Sequence, residues 1–415
     1  MFKKLKDIFK GKDAKVLLEN FISLSALELV GMLLPLITLP YILRVLGFQN
    51  YGIIVFAASL IAYFSSLTDF SFNYTATRDV ALFKDSQKKL NLIYSKVITI
   101  KAIFLLLSFL IITLIVYSYE PFYQNRLVYF LTIPLLLGEA LLPNWFFQGI
   151  EKMKYITFLS IGIKLFFTVC VFIFIKEETD YWIYPLLQSS GFIGAGIVGQ
   201  FILLKKYKLK FLWLKPKIIL QTIKSNTPIF VNQFVPTLYN NTSTFLLGIL
   251  TNTTLVGIYN ALRTVVRLSI VLIEVLSRVF FPFLNRRKDA FIKYKKLMLM
   301  ISIGLTLLCL ASYKLIFWYL NIEEDNAFVI LAILAFGIIG YTIYNVFGVN
   351  YFIIRRQDKL VMKNTIISSL IGFVLAFPLI YYFGIIGAAI NLSFARWLMG
   401  GGLYFKYKMF TKGKL

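Results

Sequence analysis

An all-helical membrane architecture of twelve spans in two six-helix halves is what this sequence predicts, on three observations. The composition is too apolar for a soluble protein, apolar runs recur at bilayer length, and a motif ending the fourth run returns at the end of the tenth. Of 415 residues, 59% are hydrophobic and 17% aromatic, where soluble domains are about 45–50% apolar. The net charge of +25 would suggest nucleic acid in a soluble chain. Here the basic residues fall mostly in short tracts between apolar runs, so the membrane reading takes precedence.

A spanning helix needs roughly 20 mostly apolar residues. Runs that qualify lie at 17–43, 52–79, 91–118, 127–149, 155–176, 181–204, 219–250, 254–284, 294–319, 327–353, 361–383 and 385–405. Pro35 and Pro40 in the first run, and Pro228 and Pro236 in the seventh, predict kinks, because proline removes a donor and crowds the preceding turn. Ahead of the first run, "MFKKLKDIFKGKDAK" sets six lysines against Phe2, Leu5, Ile8 and Phe9, the pattern of an interfacial amphipathic helix without a signal-peptide cleavage motif. The chain therefore reads as a basic N-terminal segment 1–16, a first half 17–204, a basic linker 205–218, a second half 219–405 and a basic tail 406–415.

Orientation follows from Lys and Arg in the connections. With the N-terminus in the cytoplasm, 32 of the 44 lie in the tails and loops of that side. Only Arg44, Arg126, Lys176 and Lys314 lie opposite, where "KEETD" (176–180) and "NIEEDN" (321–326) are acidic. Both termini are thus expected inside. No connection exceeds roughly 20 residues, which leaves no room for a soluble catalytic domain, and no Walker motif is present. Histidine, the commonest general base and metal ligand, is absent. Cys170 and Cys309 lie far apart inside apolar runs and read as packing residues. The expectation is a protein that is not an enzyme and holds no metal.

The repeat is short but well spaced. "LLPNWFFQGIEKMKY" (141–155) matches "FGVNYFIIRRQDKLV" (347–361), with Asn144-Trp145-Phe146 over Asn350-Tyr351-Phe352 and Glu151-Lys152 over Asp358-Lys359. The separation is 206 residues, or 207 after a gap, and Gly52 and Gly257 are 205 apart. Six helices per repeat is even, so the halves share one orientation, as in parallel-repeat transporters.

The segment "NALRTVVRLSIVLIEVLSRVFF" (260–281) carries charge where hydrocarbon is expected. A charge at mid-bilayer costs at least ~2.5–3.5 kcal/mol. At 100° per residue, Arg263, Arg267, Glu274 and Arg278 fall within about 60° of arc and along about 22 Å of rise. Such a face must look at water or at other charges. Glu28, Asp69, Glu139 and Lys164 also sit near segment midpoints in the first half, Arg396 does in the second, and Arg78-Asp79 closes the second run. One reading is mutual neutralisation: Glu274 between Arg267 and Arg278 or with Arg396, and Lys164 with a first-half acid. The other is that surplus cations await an anion, which makes Arg263, Arg267, Arg278, Arg396, Lys164 and Arg78 the candidate partners. Arginine suits phosphate because its planar fork offers paired donors and stays ionised. Glu28, Asp69, Glu139 and Glu274 are the charge partners, and the first three are candidates to bind a coupling proton or sodium ion. The many tyrosines near segment ends read mainly as interfacial belt.

Three stretches carry a resemblance. "LLPLITLPYILRVLGFQNYGIIVFAASLIAYFSSLTDFSFNYTATRDVA" (33–81) resembles the amino-terminal signature of the Wzx-type polysaccharide flippases, the translocases of O-antigen and capsule units. "NWFFQGIEKMKYIT" (144–157) is similar to their fourth-helix end and "LYNNTSTFLLGILTNTTLVGIYNALRTVVRL" (238–268) to their seventh and eighth helices. Where that family often shows an acid–lysine pair, this chain has Leu262-Arg263. The resemblance implies a relation to MATE drug exporters and lipid II flippases, and two six-helix lobes in a V that open alternately to each side. It implies movement of an undecaprenyl-diphosphate-linked oligosaccharide across the bacterial cytoplasmic membrane, no cofactor beyond a coupling H+ or Na+, and monomeric function alongside polymerase and chain-length machinery. The alternatives are a MATE-like small-molecule exporter and a membrane-embedded polysaccharide polymerase; the latter usually brings a large outer loop.

Overall fold

Two glycines decide how the two longest helical stretches run. A computed structural model describes residues 12–412. Helix α1 (Lys12–Asp69) is broken at Gly47, with φ 71° and ψ 169°, and the last helix is broken at Gly384, with φ 54° and ψ −128°. These are backbone conformations that a Cβ disfavours. Each stretch is therefore two helices joined at a hinge. The break in α1 falls at Gly47 and not at Pro35 or Pro40. The amphipathic pattern expected of residues 1–16 lies outside the described residues.

The remaining elements follow in order. They are α2 (Phe72–Phe83), α3 (Gln87–Ser118), α4 (Glu120–Gln124), α5 (Arg126–Thr132), α6 (Pro134–Leu141), α7 (Asn144–Gly149), α8 (Met153–Phe174) and α9 (Ile183–Phe201), the last extended by a wider π-type turn at Ile202–Lys206. After a basic strap come α10 (Pro216–Leu250), α11 (Thr253–Arg286), α12 (Phe291–Ala311), α13 (Tyr313–Leu320), α14 (Ala327–Tyr344) with a π-type end at Asn345–Phe352, and α15 (Asp358–Thr411). No strand occurs among the described residues. The second expected run is divided at Phe70 and Ser71, which take left-handed φ values of 44° and 60°. The fourth is cut into α5, α6 and α7, where Pro134 starts one helix and Pro143 caps the next, as proline's missing donor requires. By contrast, α10 stays helical through Pro228 and Pro236.

Among the described residues, eight helical stretches are long and apolar enough to cross a membrane, and two of them, Val30–Phe83 and Asp358–Thr411, are the glycine-broken pairs of 54 residues. At 1.5 Å per residue such a stretch exceeds twice the bilayer core of about 30 Å. Helices α10 and α11 are 35 and 34 residues long but too polar to be among the eight.

The chain forms two compact units. The first contains residues 12–35, 64–176 and 182–233; the second contains 36–63, 177–181 and 234–412. Segment 36–63 belongs to the second unit although it lies early in the chain. Its Gly52 meets the Thr253 carbonyl, while Gly257 meets that of Phe48, approaches that no side chain at either position would permit.

Each unit has its own aromatic core, and the sequence repeat sits inside it. In the first, Trp145, Phe146 and Phe147 are buried with Phe70, Tyr94 and Leu209. In the second, Tyr351 and Phe352 are buried with Phe291, Tyr294 and Phe347. The turns that follow are alike. Glu151 has φ 59° and Arg356 φ 58°; Lys152 N–H donates to the Phe147 carbonyl, and Gln357 N–H to that of Phe352, each at 2.9 Å. These turns are 205 residues apart, the Gly52–Gly257 spacing, so the structural register is one residue shorter than the side-chain match suggested. The repeated aromatics thus hold a turn.

Candidate functional site

The charged face of α11 forms as its periodicity requires. Asn252 caps the helix by accepting from Leu255 N–H at 2.9 Å. Val256, Leu262, Val266, Ile270, Ile273 and Ser277 are buried along one stripe, and the charges lie beside it. Arg267 and Arg278 approach opposite oxygens of Glu274 at 3.7 and 3.9 Å. Both arginine side chains are more than half exposed, 57% and 55%. Glu274 is largely covered and accepts a 2.5 Å hydrogen bond from the Tyr341 hydroxyl on α14. One turn above, Arg263 donates to Thr244 Oγ1 on α10 at 3.1 Å.

Arg396 on α15 is buried, and its Nη1 has no hydrogen-bond partner. Arg263, Tyr239, Tyr259 and Tyr341 are its electrostatic neighbours. It joins the aromatic underside of the arginine face and does not pair with Glu274, whose ion pairs go to Arg267 and Arg278. Two guanidinium groups therefore share one carboxylate, and two more in the same unit have none. Long ion pairs with accessible guanidiniums hold little free energy, about 0–1 kcal/mol each, and leave donors for an incoming anion.

The first unit gathers its charges differently. Lys101, from α3, is buried and donates to Asp69 Oδ1 at 3.1 Å, while Asn73 donates to the same oxygen at 2.9 Å. Ser65 donates to Glu139 Oε2. These groups, with Thr68, line a cavity of about 190 Å³. A neighbouring cavity of about 420 Å³ shares the walls Leu142, Asn144 and Phe192 and contains Glu28, Lys164, Ser160 and Gln188. Lys164 feels the Glu28 charge, so each lysine here has a carboxylate neighbour.

The model of the family described as polysaccharide biosynthesis protein matches residues 17–288, which include the arginine face of α11. The chain belongs to that family. A "Putative O-antigen transporter" of Escherichia coli strain K12 is 28% identical over 382 residues, covering 90% of this chain and 92% of the relative. One of the same name from Shigella dysenteriae is 24% identical over 92% of this chain and 97% of its own. The lipid II flippase MurJ in an inward closed conformation superposes with a TM-score of 0.71 at 15% identity, covering 93% of this chain and 87% of MurJ. An inward-facing MATE family transporter of the MOP superfamily gives 0.70 at 13%, covering 95% and 99%. This polysaccharide biosynthesis family member is a multi-pass membrane protein with the MATE/MurJ fold, and its relatives are transporters.

Within it, the expected site residues fall into three places. Arg263, Arg267, Glu274, Arg278 and Arg396 lie in the second unit. Glu28, Asp69, Glu139 and Lys164 line the adjoining cavities of the first. Arg78 is elsewhere: it is exposed, bonds Asp79 at 3.2 Å, and borders a small pocket with Lys96 and Thr222. Cys170 and Cys309 are free thiols. Three partners went unread in the sequence. Lys101 had a signal, being a lone charge deep in an apolar run. Tyr341 and Thr244 had none, because tyrosine and threonine are common throughout these helices.

Proposed function

We propose that this protein is a flippase that moves undecaprenyl-diphosphate-linked oligosaccharide repeat units across the cytoplasmic membrane by alternating access. The carrying observation is the α11 face: Arg263, Arg267 and Arg278 with Arg396 behind them, against the single acid Glu274. A diphosphate presents the paired oxygens that arginine forks match. The transporter relatives and the fold shared with a lipid II flippase support the same substrate class. In this reading the two broken stretches count as two spans each, α10 and α11 complete twelve, and both termini are cytoplasmic. Glu28, Asp69 and Glu139 are the groups through which a proton or sodium gradient resets the carrier. The protein acts as a monomer, handing its cargo to polymerase and chain-length machinery.

A small-molecule exporter shares the fold, but a guanidinium surplus disfavours organic cations. Deleting the gene in its host and identifying the lipid-linked glycan that accumulates at the inner leaflet tests the reading. Accumulation of a diphosphate-linked repeat unit supports it; normal surface polysaccharide with no accumulating intermediate contradicts it.

A further inference from the structure

The strap 207–215 between the π-type turn at Ile202–Lys206 and α10 carries Lys208, Lys210 and Lys215 and no acid, with Lys205 and Lys206 just before it and Lys217 just after. It is held in place as far as Leu212. Leu209 N–H closes back on the Leu203 carbonyl at 3.1 Å, with Lys208 at φ 51° and the Leu209 side chain buried in the first unit's core. This is a helix-ending turn with its hydrophobic contact. Helix α3 then fastens the backbone. Gln87 Nε2 donates to the carbonyls of Tyr207 and Lys208 at 3.1 and 3.0 Å. Lys210 N–H donates to Asn91 Oδ1 at 3.0 Å, and Leu212 N–H to Ser95 Oγ at 2.8 Å.

What this fixed backbone presents is unlike an ordinary loop. Trp213 is 94% exposed, and Phe211 and Leu212 are exposed beside it. The Phe211 and Trp213 rings meet edge to face, 5.4 Å between centroids. Three large apolar side chains, flanked in sequence by Lys210 and Lys215, are exposed just after the span Glu178–Lys206 ends. Water is a poor environment for an exposed indole and phenyl pair. A bilayer boundary suits both features, because indoles settle at headgroup depth and lysines meet anionic phosphates.

We propose that strap 207–215 is a binding surface for an anionic membrane leaflet, with Trp213 and Phe211 entering the acyl boundary and the lysines engaging lipid phosphates. A polar, mobile loop would lose conformational freedom on docking; this one is already ordered by α3. The proposal stands independently of the transported cargo.

Trp213 supplies its own probe. The full-length protein is reconstituted into vesicles of phosphatidylcholine alone or with phosphatidylglycerol, each carrying bromine high on the acyl chains. Emission of Trp213→Phe is subtracted from that of the native protein to isolate the Trp213 signal. The expected result is quenching of that signal by bromolipid, about twofold greater with phosphatidylglycerol. Lys208→Gln/Lys210→Gln/Lys215→Gln is expected to bring it down to the phosphatidylcholine value. Quenching by aqueous iodide instead would overturn the proposal, as would shielding from both quenchers, which would mean that protein covers the strap. Equal quenching in the two lipids would overturn its electrostatic half.

Discussion

In the first unit each interior lysine has a carboxylate neighbour: Lys101 lies 3.1 Å from Asp69, and Lys164 faces Glu28. In the second, only Arg267 and Arg278 pair with Glu274, at 3.7 and 3.9 Å, while Arg263 bonds Thr244 and Arg396 lies buried without an acid. Both interiors are built on the same repeated turn, so the contrast comes from side chains and not from fold. Short, covered pairs hold an interior together; long, accessible ones leave donors available. On the proposed reading, the first unit's charges are mainly structural or switching groups, and the second's are the place for an anionic ligand.

The largest expected effect breaks the first unit. Removing one member of a buried pair costs about 3–5 kcal/mol, because the other charge is left uncompensated. Lys101→Met should lower thermal stability strongly, and Lys101→Met/Asp69→Leu should recover most of the loss. Thermal unfolding in detergent measures this, and a double variant as unstable as the single one would show that Lys101 and Asp69 are not a pair.

The second unit should respond in the opposite way. Arg267→Ala/Arg278→Ala removes two loosely paired side chains, so stability should change by about 2 kcal/mol or less. Export should fall roughly tenfold or more, since a hydrogen bond to a charged group contributes about 1.5–3 kcal/mol. Surface polysaccharide measured at equal protein level separates the two quantities. Smaller is the effect of Arg267→Lys, which keeps the charge and loses the fork. Export midway between native and Arg267→Ala is expected, and full activity would argue for simple charge without paired donors.

How much of this was legible in the sequence depends on the range of the interaction. The α11 face is a local consequence of helical period, and Arg263, Arg267, Glu274 and Arg278 fall on one side of their helix as 100° per residue requires. The eight stretches apolar enough to cross a membrane also follow from local composition. What escaped depends on contacts distant in the chain. Segment 36–63 belongs with the second unit because Gly52 approaches Thr253. Asn144 and Asn350 matched as letters, whereas the hydrogen-bonded turns align one residue away. Tyr341 reaches Glu274 across 67 positions, and its sequence surroundings are those of any belt tyrosine.

The smallest predicted effect concerns that contact. Tyr341→Phe removes one hydrogen bond to Glu274 but leaves both of its arginine partners in place, and frees the carboxylate to compete for Arg267 and Arg278. A slight loss of stability with a modest drop in export is expected, both measurable on the same preparations.

The proposed role of the second unit is tested most directly by diphosphate binding. Affinity for undecaprenyl diphosphate and for undecaprenyl monophosphate is measured on the purified protein in lipid nanodiscs. The native protein should prefer the diphosphate, and Arg267→Ala/Arg278→Ala should lose roughly tenfold or more of that affinity, while Glu28→Gln/Glu139→Gln retains it. Unchanged diphosphate affinity in the arginine variant, with loss in the carboxylate variant instead, would contradict the account.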